Sequence, residues 1–215
     1  MTRVALIHAL AHSVAPINTE MARAWPACER MNLLDDSLSS DLTHSGHGLD
    51  VAMFQRFEAL ATYAEGAGAQ AILFTCSAFG PCIDAVAARR PHMPVLKPNE
   101  AMVAEAVASG KRIGLVASFE PTLAFMPAEF PPGMALQTRL AEGAMDALNQ
   151  GDTAGHDARV VMAARWLQQQ GCEVIALAQF SMARAEAAVR QALQLPVLTT
   201  PASAVRVLRQ RLAAC

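Results

Sequence analysis

The sequence lacks the features of a membrane or secreted protein. No apolar run in its 215 residues approaches the roughly 20 residues that a membrane-spanning helix requires. The first residues, MTRVALIHAL, run directly into a strand-like segment and show no signal-peptide cleavage pattern. We therefore expect a cytoplasmic protein without a membrane partner.

The chain also lacks an excess of charge of either sign. It has 17 basic and 19 acidic residues, spread along the sequence, and a net charge of -2. Binding to a nucleic-acid backbone requires a basic stripe or patch that neutralises phosphates. The sequence shows no such stripe, so we expect no nucleic-acid partner.

Cysteine pairs and metal-ligand spacings are missing as well. The sequence forms no C-x-x-C pair and no zinc-site spacing from its five cysteines, which are Cys28, Cys76, Cys82, Cys172 and Cys215. His44 and His47 lie in the polar segment THSGHG, which is more typical of a solvated loop than of a metal site. Neither a Rossmann glycine fingerprint nor a pyridoxal-lysine context is present. We therefore expect free thiols and no metal or other cofactor.

Apolar residues make up 53% of the sequence, and they are grouped into segments of two alternating kinds. Short β-branched or apolar runs alternate with longer Ala-rich amphipathic segments, a pattern typical of βαβ units and a mainly parallel sheet. The predicted strands are Val4–His8, Ala71–Thr75, Pro94–Leu96, Arg112–Ala117, Val174–Ala178 and Pro196–Leu198, and Met134–Leu140 is a candidate for another. The predicted fold class is α/β.

An internal repeat divides these elements into two sets. Residues 68–76 (GAQAILFTC) align without a gap to residues 171–179 (GCEVIALAQ), so that Cys76 corresponds to Gln179. We predict two related, flavodoxin-like halves, residues 1–110 and 111–215, with the last helix able to pack back on the first half. Ligands of open α/β sheets bind beyond the carboxyl ends of the strands. The predicted site is therefore a cleft between the halves, with Cys76 and Gln179 on opposite walls.

Three sets of residues carry a family resemblance. They are Phe74-Thr-Cys-Ser-Ala-Phe-Gly80 after a strand, Leu115-Val-Ala-Ser-Phe-Glu-Pro-Thr122, and the paired Pro-Val-Leu segments. Over nearly the whole chain they resemble the aspartate/glutamate racemase superfamily, which includes hydantoin racemases, maleate isomerase and arylmalonate decarboxylase. The resemblance implies two pseudo-symmetric domains, a small carboxylate substrate in the cleft, and acid/base chemistry without pyridoxal phosphate or metal. We also expect a homo-oligomer.

Cys76 is the predicted catalytic residue. It lies where a strand gives way to a helix, so unpaired backbone N–H groups and the positive end of the helix dipole favour its thiolate. A free cysteine is more often a small buried core residue, and periodicity alone favours that interpretation. The family resemblance favours the catalytic role instead.

Hydroxyl groups near the strand ends are the first candidates for substrate binding. Ser77, Ser118 and Thr122 can hold carboxylate oxygens and stabilise an enediolate. For Ser118 and Thr122, ordinary helix N-capping explains the sequence about equally well. The two roles are compatible.

The segments after the first strand supply further candidates. Related enzymes place substrate-binding groups in this exit loop, and the corresponding residues here are His8, Ser13, Pro16 and Asn18. The segment Asp35-Asp-Ser37 resembles an acidic loop of relatives, and an exposed turn explains it equally well.

The chain departs from the two-base racemase pattern at Gln179. Two-base members carry a second cysteine at the matching position, and an amide cannot shuttle a proton. Ser181 is a poor base without an activating partner, and Cys172 lies at the opposite end of its strand. Gln179 and Ser181 are therefore candidates for substrate binding.

The sequence leaves three hypotheses about function. In the first, Cys76 transfers a proton at the α-carbon of an amino acid or dicarboxylate, in a cofactor-independent racemase or isomerase. The second is decarboxylation of malonate-type acids, since one-cysteine relatives include arylmalonate decarboxylases, although their thiol comes from the second half. The third, of another class, is a non-catalytic carboxylate-binding protein.

Overall fold

The computed structural model describes residues 2–213, which divide into two compact units. Unit 1 consists of residues 2–98 and 204–213, and unit 2 consists of residues 99–203. The sequence predicts a boundary at residue 110, whereas the division falls after Pro98. The reason is that apolar residues of the helix Glu100–Ala108, such as Met102 and Ala106, belong to the core of unit 2.

Unit 1 contains the first four strands. They are β1 (Arg3–His8), β2 (Glu29–Leu34), β3 (Ala71–Phe74) and β4 (Val95–Leu96). The helices are α1 (Val14–Ala24), α2 (Ser37–Ser45), α3 (Val51–Gly66) and α4 (Gly80–Ala88), with short 3-10 turns at Ala11–Ser13 and Ser77–Phe79. All strand pairs are parallel, in the order β2-β1-β3-β4.

Unit 2 repeats this arrangement. Its strands are β5 (Ile113–Ala117), β6 (Leu136–Leu140), β7 (Val174–Leu177) and β8 (Val197–Thr199). The helices are α5 (Glu100–Ala108), α6 (Glu120–Phe125), α7 (Ala144–Asn149), α8 (Thr153–Gln169), α9 (Glu186–Leu193) and the start of α10 (Thr200–Ala213), with 3-10 turns at Met126–Glu129 and Phe180–Ala185. The strands are again parallel, in the order β6-β5-β7-β8.

The two sheets confirm the predicted α/β class with two related halves. Strands β3 and β7 occupy the positions that the ungapped repeat predicts, and each lies beside the first strand of its unit. The strand order 2-1-3-4 is that of a flavodoxin-like sheet. The candidate strand at Met134–Leu140 is present as β6.

Helices cover both faces of the second sheet. Residues of α8 and α9, among them Val160 and Val189, pack with alternate residues of β5 and β7 in one cluster. Met102 of α5 packs with Phe130 and the remaining β5 and β7 residues in another. Burial on both faces explains why these strands read as continuous apolar runs. No helix within residues 2–213 is long and apolar enough to span a membrane.

Three elements of unit 1 are absent from the sequence prediction. Pro16 and Asn18, assigned there to an exit loop, lie in α1. Strand β2 lies at the edge of its sheet, and its residues are exposed or half-buried. Its sequence, ERMNLL, therefore lacks the apolar run by which a buried strand is recognised. His44 lies in the last turn of α2 rather than in a loop.

A buried arginine joins α3 to the segment after α4. The Arg90 side chain is 5% exposed. Its Nη2 lies 2.7 Å from Glu58 Oε1, and its Nε lies 3.0 Å from Glu65 Oε2. The Arg90 guanidinium holds the pKa of Glu58 below its usual value through this hydrogen bond. The cluster is therefore a specific ionic contact between two helical segments.

Arg90→Ala should lower the free energy of unfolding by about 2 kcal/mol, because it removes the buried guanidinium that pairs with both Glu58 and Glu65. Arg89→Ala is the matched control: Arg89 also pairs with Glu58 but is 66% exposed, so its loss should change stability by less than about 1 kcal/mol. Because the folded-state pKa of Glu58 is depressed, its contribution is present above its unfolded-state pKa and is lost as pH falls. Urea unfolding at neutral and acid pH measures both effects. Equal destabilisation by the two variants would contradict the assignment.

Candidate active site

Cys76 lies just beyond the carboxyl end of β3 in unit 1. Thr75 separates it from the strand, and the 3-10 turn Ser77–Phe79 follows and leads into α4. The backbone N–H of Ala78 lowers the pKa of the thiol. The predicted position at a strand-to-helix junction is thus present, although the first turn after Cys76 is 3-10 rather than α-helical.

The backbone N–H at this junction lowers the pKa of the Cys76 thiol, but burial has the larger effect. Burial raises the pKa of the Cys76 thiol above its ordinary value, and hydrogen bonds from Ala78 N–H and the Ser39 side chain lower it by less. The residue as a whole keeps partial exposure, so water screens part of the burial effect. At neutral pH the free thiol is therefore protonated.

A narrow apolar crevice lies beside Cys76 within unit 1. Its other lining residues are Ile7, His8, Ala9, Leu38, Phe57 and Phe74. The empty space is about 170 Å³ and has no room for a water molecule. The Phe57 ring stacks on Phe74, with centroids 5.3 Å apart, and lies 4.9 Å from the Phe79 ring. This packing holds the backbone on both sides of Cys76 and is not a substrate pocket.

His8 is fully buried at the end of β1 and is engaged by two protein groups. Its Nδ1 lies 2.8 Å from Thr75 Oγ1, and its Nε2 lies 3.0 Å from Asn32 Oδ1. Burial lowers the pKa of His8, and the bond to Asn32 opposes this only in part. The ring is therefore neutral, with Nε2–H donating to Asn32 and the Thr75 hydroxyl donating to Nδ1.

These contacts change the interpretation of His8 and of its neighbours. Direct substrate binding by His8, as the sequence predicts, would require the ring to give up one partner. Asn18 donates from Nδ2 to Asn32 Oδ1 at 2.8 Å, so it supports His8 from α1. His8 therefore connects β1 to the residue before Cys76.

The remaining predicted residues of unit 1 have different surroundings. Ser13 and Ser77 are each 3% exposed, Ser13 at the end of a 3-10 turn and Ser77 next to Cys76. Asp35 is not a free acidic loop residue. Its carboxylate lies 2.7 Å from Arg56 Nη2 and accepts a bond of 2.7 Å from the Ser37 hydroxyl. Asp35 thus fixes the start of α2.

In unit 2, Gln179 and Ser118 form a hydrogen-bonded pair at the ends of β7 and β5. Gln179 Oε1 accepts from Ser118 N–H at 2.6 Å and from the Ser118 hydroxyl at 3.0 Å. The Nε2 group of Gln179 donates to no protein group within residues 2–213. The amide is therefore oriented with its two N–H donors available, and it has no basic atom. In this arrangement both hydrogen-bond donors of Ser118 are used to orient the Gln179 side chain.

Thr122 and Ser181 are also buried in unit 2, each 1% exposed. Thr122 lies inside α6, whose N-cap is Phe119, so neither Ser118 nor Thr122 is the N-cap of that helix. Ser181 lies in the 3-10 turn after Gln179, and its Oγ has no hydrogen-bond partner within the described chain. Nothing in this position activates Ser181 as a base.

Ser39 is a neighbour of Cys76 that the sequence prediction missed. It lies on α2, its side chain lowers the pKa of the Cys76 thiol, and its hydroxyl donates to the Ala9 carbonyl at 2.9 Å. The available signal was the helical spacing of Leu38 and Leu42, the buried residues of α2. That spacing predicts a helix with one face packed against the sheet. It does not show that Ser39 lies near Cys76.

No metal centre is built into the described part of the chain. Residues 2–213 contain no group of three His, Cys, Asp or Glu side chains that could hold a metal ion. The polar groups at the strand ends are instead a thiol, hydroxyls and one oriented amide. Such groups can hold the oxygens of a small acid and move a proton.

Comparison with known families gives one broad match. Residues 19–208 match the family model described as Asp/Glu/Hydantoin racemase. No curated protein sequence matches the chain.

Solved racemase structures share the fold. A glutamate racemase from Francisella tularensis in complex with D-glutamate superposes with a TM-score of 0.77 at 13% identity, covering 99% of this chain and 81% of that one. An allantoin racemase from Klebsiella pneumoniae gives a TM-score of 0.68 at 17% identity, covering 100% and 89%. An aspartate racemase homologue from Pyrococcus horikoshii gives 0.72 at 14%, covering 99% and 100%. At these identities the likeness concerns the fold.

Proposed function

Because the chain belongs to the Asp/Glu/hydantoin racemase family, we propose that it is a cofactor-independent racemase or isomerase in which Cys76 transfers a proton at the α-carbon of a small carboxylate. Family membership confirms the predicted resemblance and the predicted enzyme class, an isomerase of the racemase type. The role of Cys76, the independence from cofactors and the carboxylate substrate are the proposal. Assembly as a homo-oligomer and a cytoplasmic location stay predictions.

The observation that carries the proposal is the position and exposure of Cys76. It follows β3 at the carboxyl end of the sheet, where open α/β sheets bind ligands. It is partly exposed, whereas Cys28, Cys82 and Cys172, the other cysteines of residues 2–213, are buried. A reactive thiol needs access to its substrate, and Cys76 is the described cysteine that has it.

The protonated state of Cys76 defines how it would act. A neutral thiol can donate a proton to a carbanion at once, but it must first lose its proton before it can abstract one. We propose that Ser77, next to the thiol, helps to hold the substrate carboxylate. Carboxylate binding by Thr122 stays a prediction, and Ser118, whose N–H and hydroxyl both donate to Gln179, orients that amide instead. The free N–H donors of Gln179 suit the same task, because they can stabilise negative charge on an enediolate oxygen.

Decarboxylation of malonate-type acids is the second candidate, and two observations favour it. Gln179 supplies no base at the position that matches Cys76, and the Cys76 thiol is protonated because burial raises its pKa. Loss of carbon dioxide generates a carbanion without a base, so one proton donor is sufficient. The non-catalytic hypothesis is not favoured, since the chain belongs to a family of racemases.

Incubation in heavy water with a substrate panel tests the proposal. The panel contains both enantiomers of aspartate and glutamate, a hydantoin, maleate, and a prochiral arylmalonate. We expect deuterium at the α-carbon of at least one compound, read by mass spectrometry, and release of carbon dioxide identifies the decarboxylase. Reaction that depends on an added metal or on pyridoxal phosphate would contradict cofactor-independent chemistry.

A further inference from the structure

We propose that a groove at the carboxyl end of β6 is a second binding site, which holds a small organic carboxylate between the guanidinium groups of Arg139 and Arg159 and against the Trp166 ring. The groove lies within unit 2, on the edge strand of its sheet, and β5 lies between β6 and the strand that leads to Gln179. Its lining residues include none of the candidates for the reaction. The inference therefore goes beyond the proposed function.

One wall of the groove is a stripe of α8. Arg159, Met162 and Trp166 line it and are spaced three and four residues apart, which puts their side chains on the same side of the helix. Met162 is 65% exposed and Trp166 is 37% exposed, so the stripe lies at the surface of unit 2. The opposite wall is formed by residues 139–142, at the end of β6 and just beyond it.

The size of the groove limits what it can hold. The space between the two walls is about 240 Å³. Pockets for drug-sized ligands enclose roughly 300–1,000 Å³, so this groove is too small for a nucleotide. It is sized for a small acid.

The protein itself holds both arginines in place. Arg139 Cζ lies 4.8 Å from the centroid of the Trp166 ring, within the ~6 Å reach of a cation–π contact. Arg159 Nη1 donates to the Gly155 carbonyl at 2.9 Å. A Cβ atom on Gly143 would lie 3.2 Å from Arg159 Nε, so the glycine gives this side chain its room. A site whose charges are already positioned loses less entropy when it binds a ligand.

These two guanidinium groups lack an acidic partner. Neither Arg139 nor Arg159 forms an ion pair within residues 2–213. Glu142 is the acid among the lining residues, and it is exposed and likewise forms no ion pair in the described chain. The groove therefore has a net positive charge, which attracts an anion.

The remaining lining residues indicate the chemical class of that anion. A carboxylate can accept two parallel hydrogen bonds from a guanidinium group. Next to the two cations, the exposed sides of Met162 and Trp166 offer a thioether and an indole ring, which bind flat apolar groups. The ligand is thus a small carboxylic acid with an apolar, preferably aromatic, part.

Tryptophan fluorescence of the intact protein tests this site, with benzoate as the probe. The chain has two tryptophans, so Trp25→Phe leaves Trp166 as the reporter. We expect a saturable change in emission with a Kd of roughly 1 mM, because exposed ion pairs contribute little to affinity. Arg139→Gln and Arg159→Gln should each raise this Kd at least about fivefold, since each removes a charge-assisted hydrogen bond.

Arg165→Gln is the matched control for the two arginine variants. Arg165 is exposed and precedes Trp166 in the sequence, but it does not line the groove. It removes the same charge, so the Kd for benzoate should stay within about twofold of the reporter protein. Calorimetric titration of the wild type with benzoate repeats the measurement without the Trp25→Phe change.

Acetate, which lacks the aromatic ring, is the second probe and should bind at least about fivefold more weakly than benzoate. The inference is overturned by the absence of saturable benzoate binding, by an unchanged Kd in Arg139→Gln or Arg159→Gln, or by equal weakening in Arg165→Gln. Acetate binding as tight as that of benzoate would also overturn it. An emission change that follows protein concentration instead of benzoate would make this face a contact between copies of the chain. None of these measurements requires turnover, so their outcome is independent of the proposed function.

Discussion

Replacing Cys76 with alanine should abolish deuterium incorporation at the substrate α-carbon, with a fall in kcat of about a thousandfold or more. The reason is that the thiol is the proton carrier in the proposed reaction, and the neighbouring Ser77 hydroxyl is a far weaker acid. Cys76→Ser should fail almost as completely, because it keeps the size of the side chain but not its acidity. Mass spectrometry after incubation in heavy water measures the loss for whichever panel compound the wild type accepts.

Cys82→Ala is the matched control for this experiment. Cys82 lies on α4 in the same unit and is fully buried, and burial raises the pKa of its thiol to about 11. Its removal deletes one buried sulfur atom and should leave kcat within about threefold of the wild type. If Cys76→Ala kept its activity and Cys82→Ala lost it, the proposed assignment of the reaction to Cys76 would be wrong.

Gln179→Cys should raise racemisation of aspartate or glutamate by at least about tenfold, while the wild type racemises them poorly. Efficient interconversion of two enantiomers needs a base for each face of a planar intermediate, and the repeat aligns Gln179 with Cys76. The structure adds a reason to expect a functional thiol here. The Ser118 N–H and hydroxyl, which now donate to Gln179 Oε1, would be available to a thiolate and would lower its pKa.

Two further variants complete the Gln179 experiment. Gln179→Ser removes the amide without adding a thiol and should not gain racemisation. The double variant Cys76→Ala with Gln179→Cys should lose the gain, since one thiol remains. Chiral chromatography combined with mass spectrometry in heavy water reports proton exchange for each enantiomer. Rapid exchange of both enantiomers by the wild type would show that a group other than Cys76 already serves as the second base.

The parts of the fold that could be predicted are those whose burial leaves a pattern in the sequence. Strands β3 and β7 are buried at every position, so their apolar runs and the Gly residues before them identify both strands and the repeat. Strand β2 could not be found in this way, because an edge strand pairs on one side and needs no apolar run. Its role in supporting His8 through Asn32 was hidden for the same reason.

The site was predictable in position but not in electrostatics or contacts. The strand-to-helix position of Cys76 follows from local sequence. The pKa of its thiol does not, because burial by residues distant in the sequence outweighs the neighbouring N–H group. The bond between Ser118 and Gln179 joins residues 61 positions apart, and Ser39, which lowers the pKa of the Cys76 thiol, lies on a helix that carries only two buried leucines. Such contacts depend on how β5, β7 and α2 pack.

The discontinuity of unit 1 has a consequence for the order in which the chain can fold on the ribosome. Unit 2 is one continuous segment, residues 99–203, whereas unit 1 includes residues 204–213 of α10. Within unit 1, Arg209 Nη1 donates to the Ala24 carbonyl at 2.7 Å, so α10 contributes a contact that the nascent chain cannot make early. All of unit 2 has been synthesised before unit 1 receives its last helix. The unit that carries Cys76 is therefore begun first and completed last.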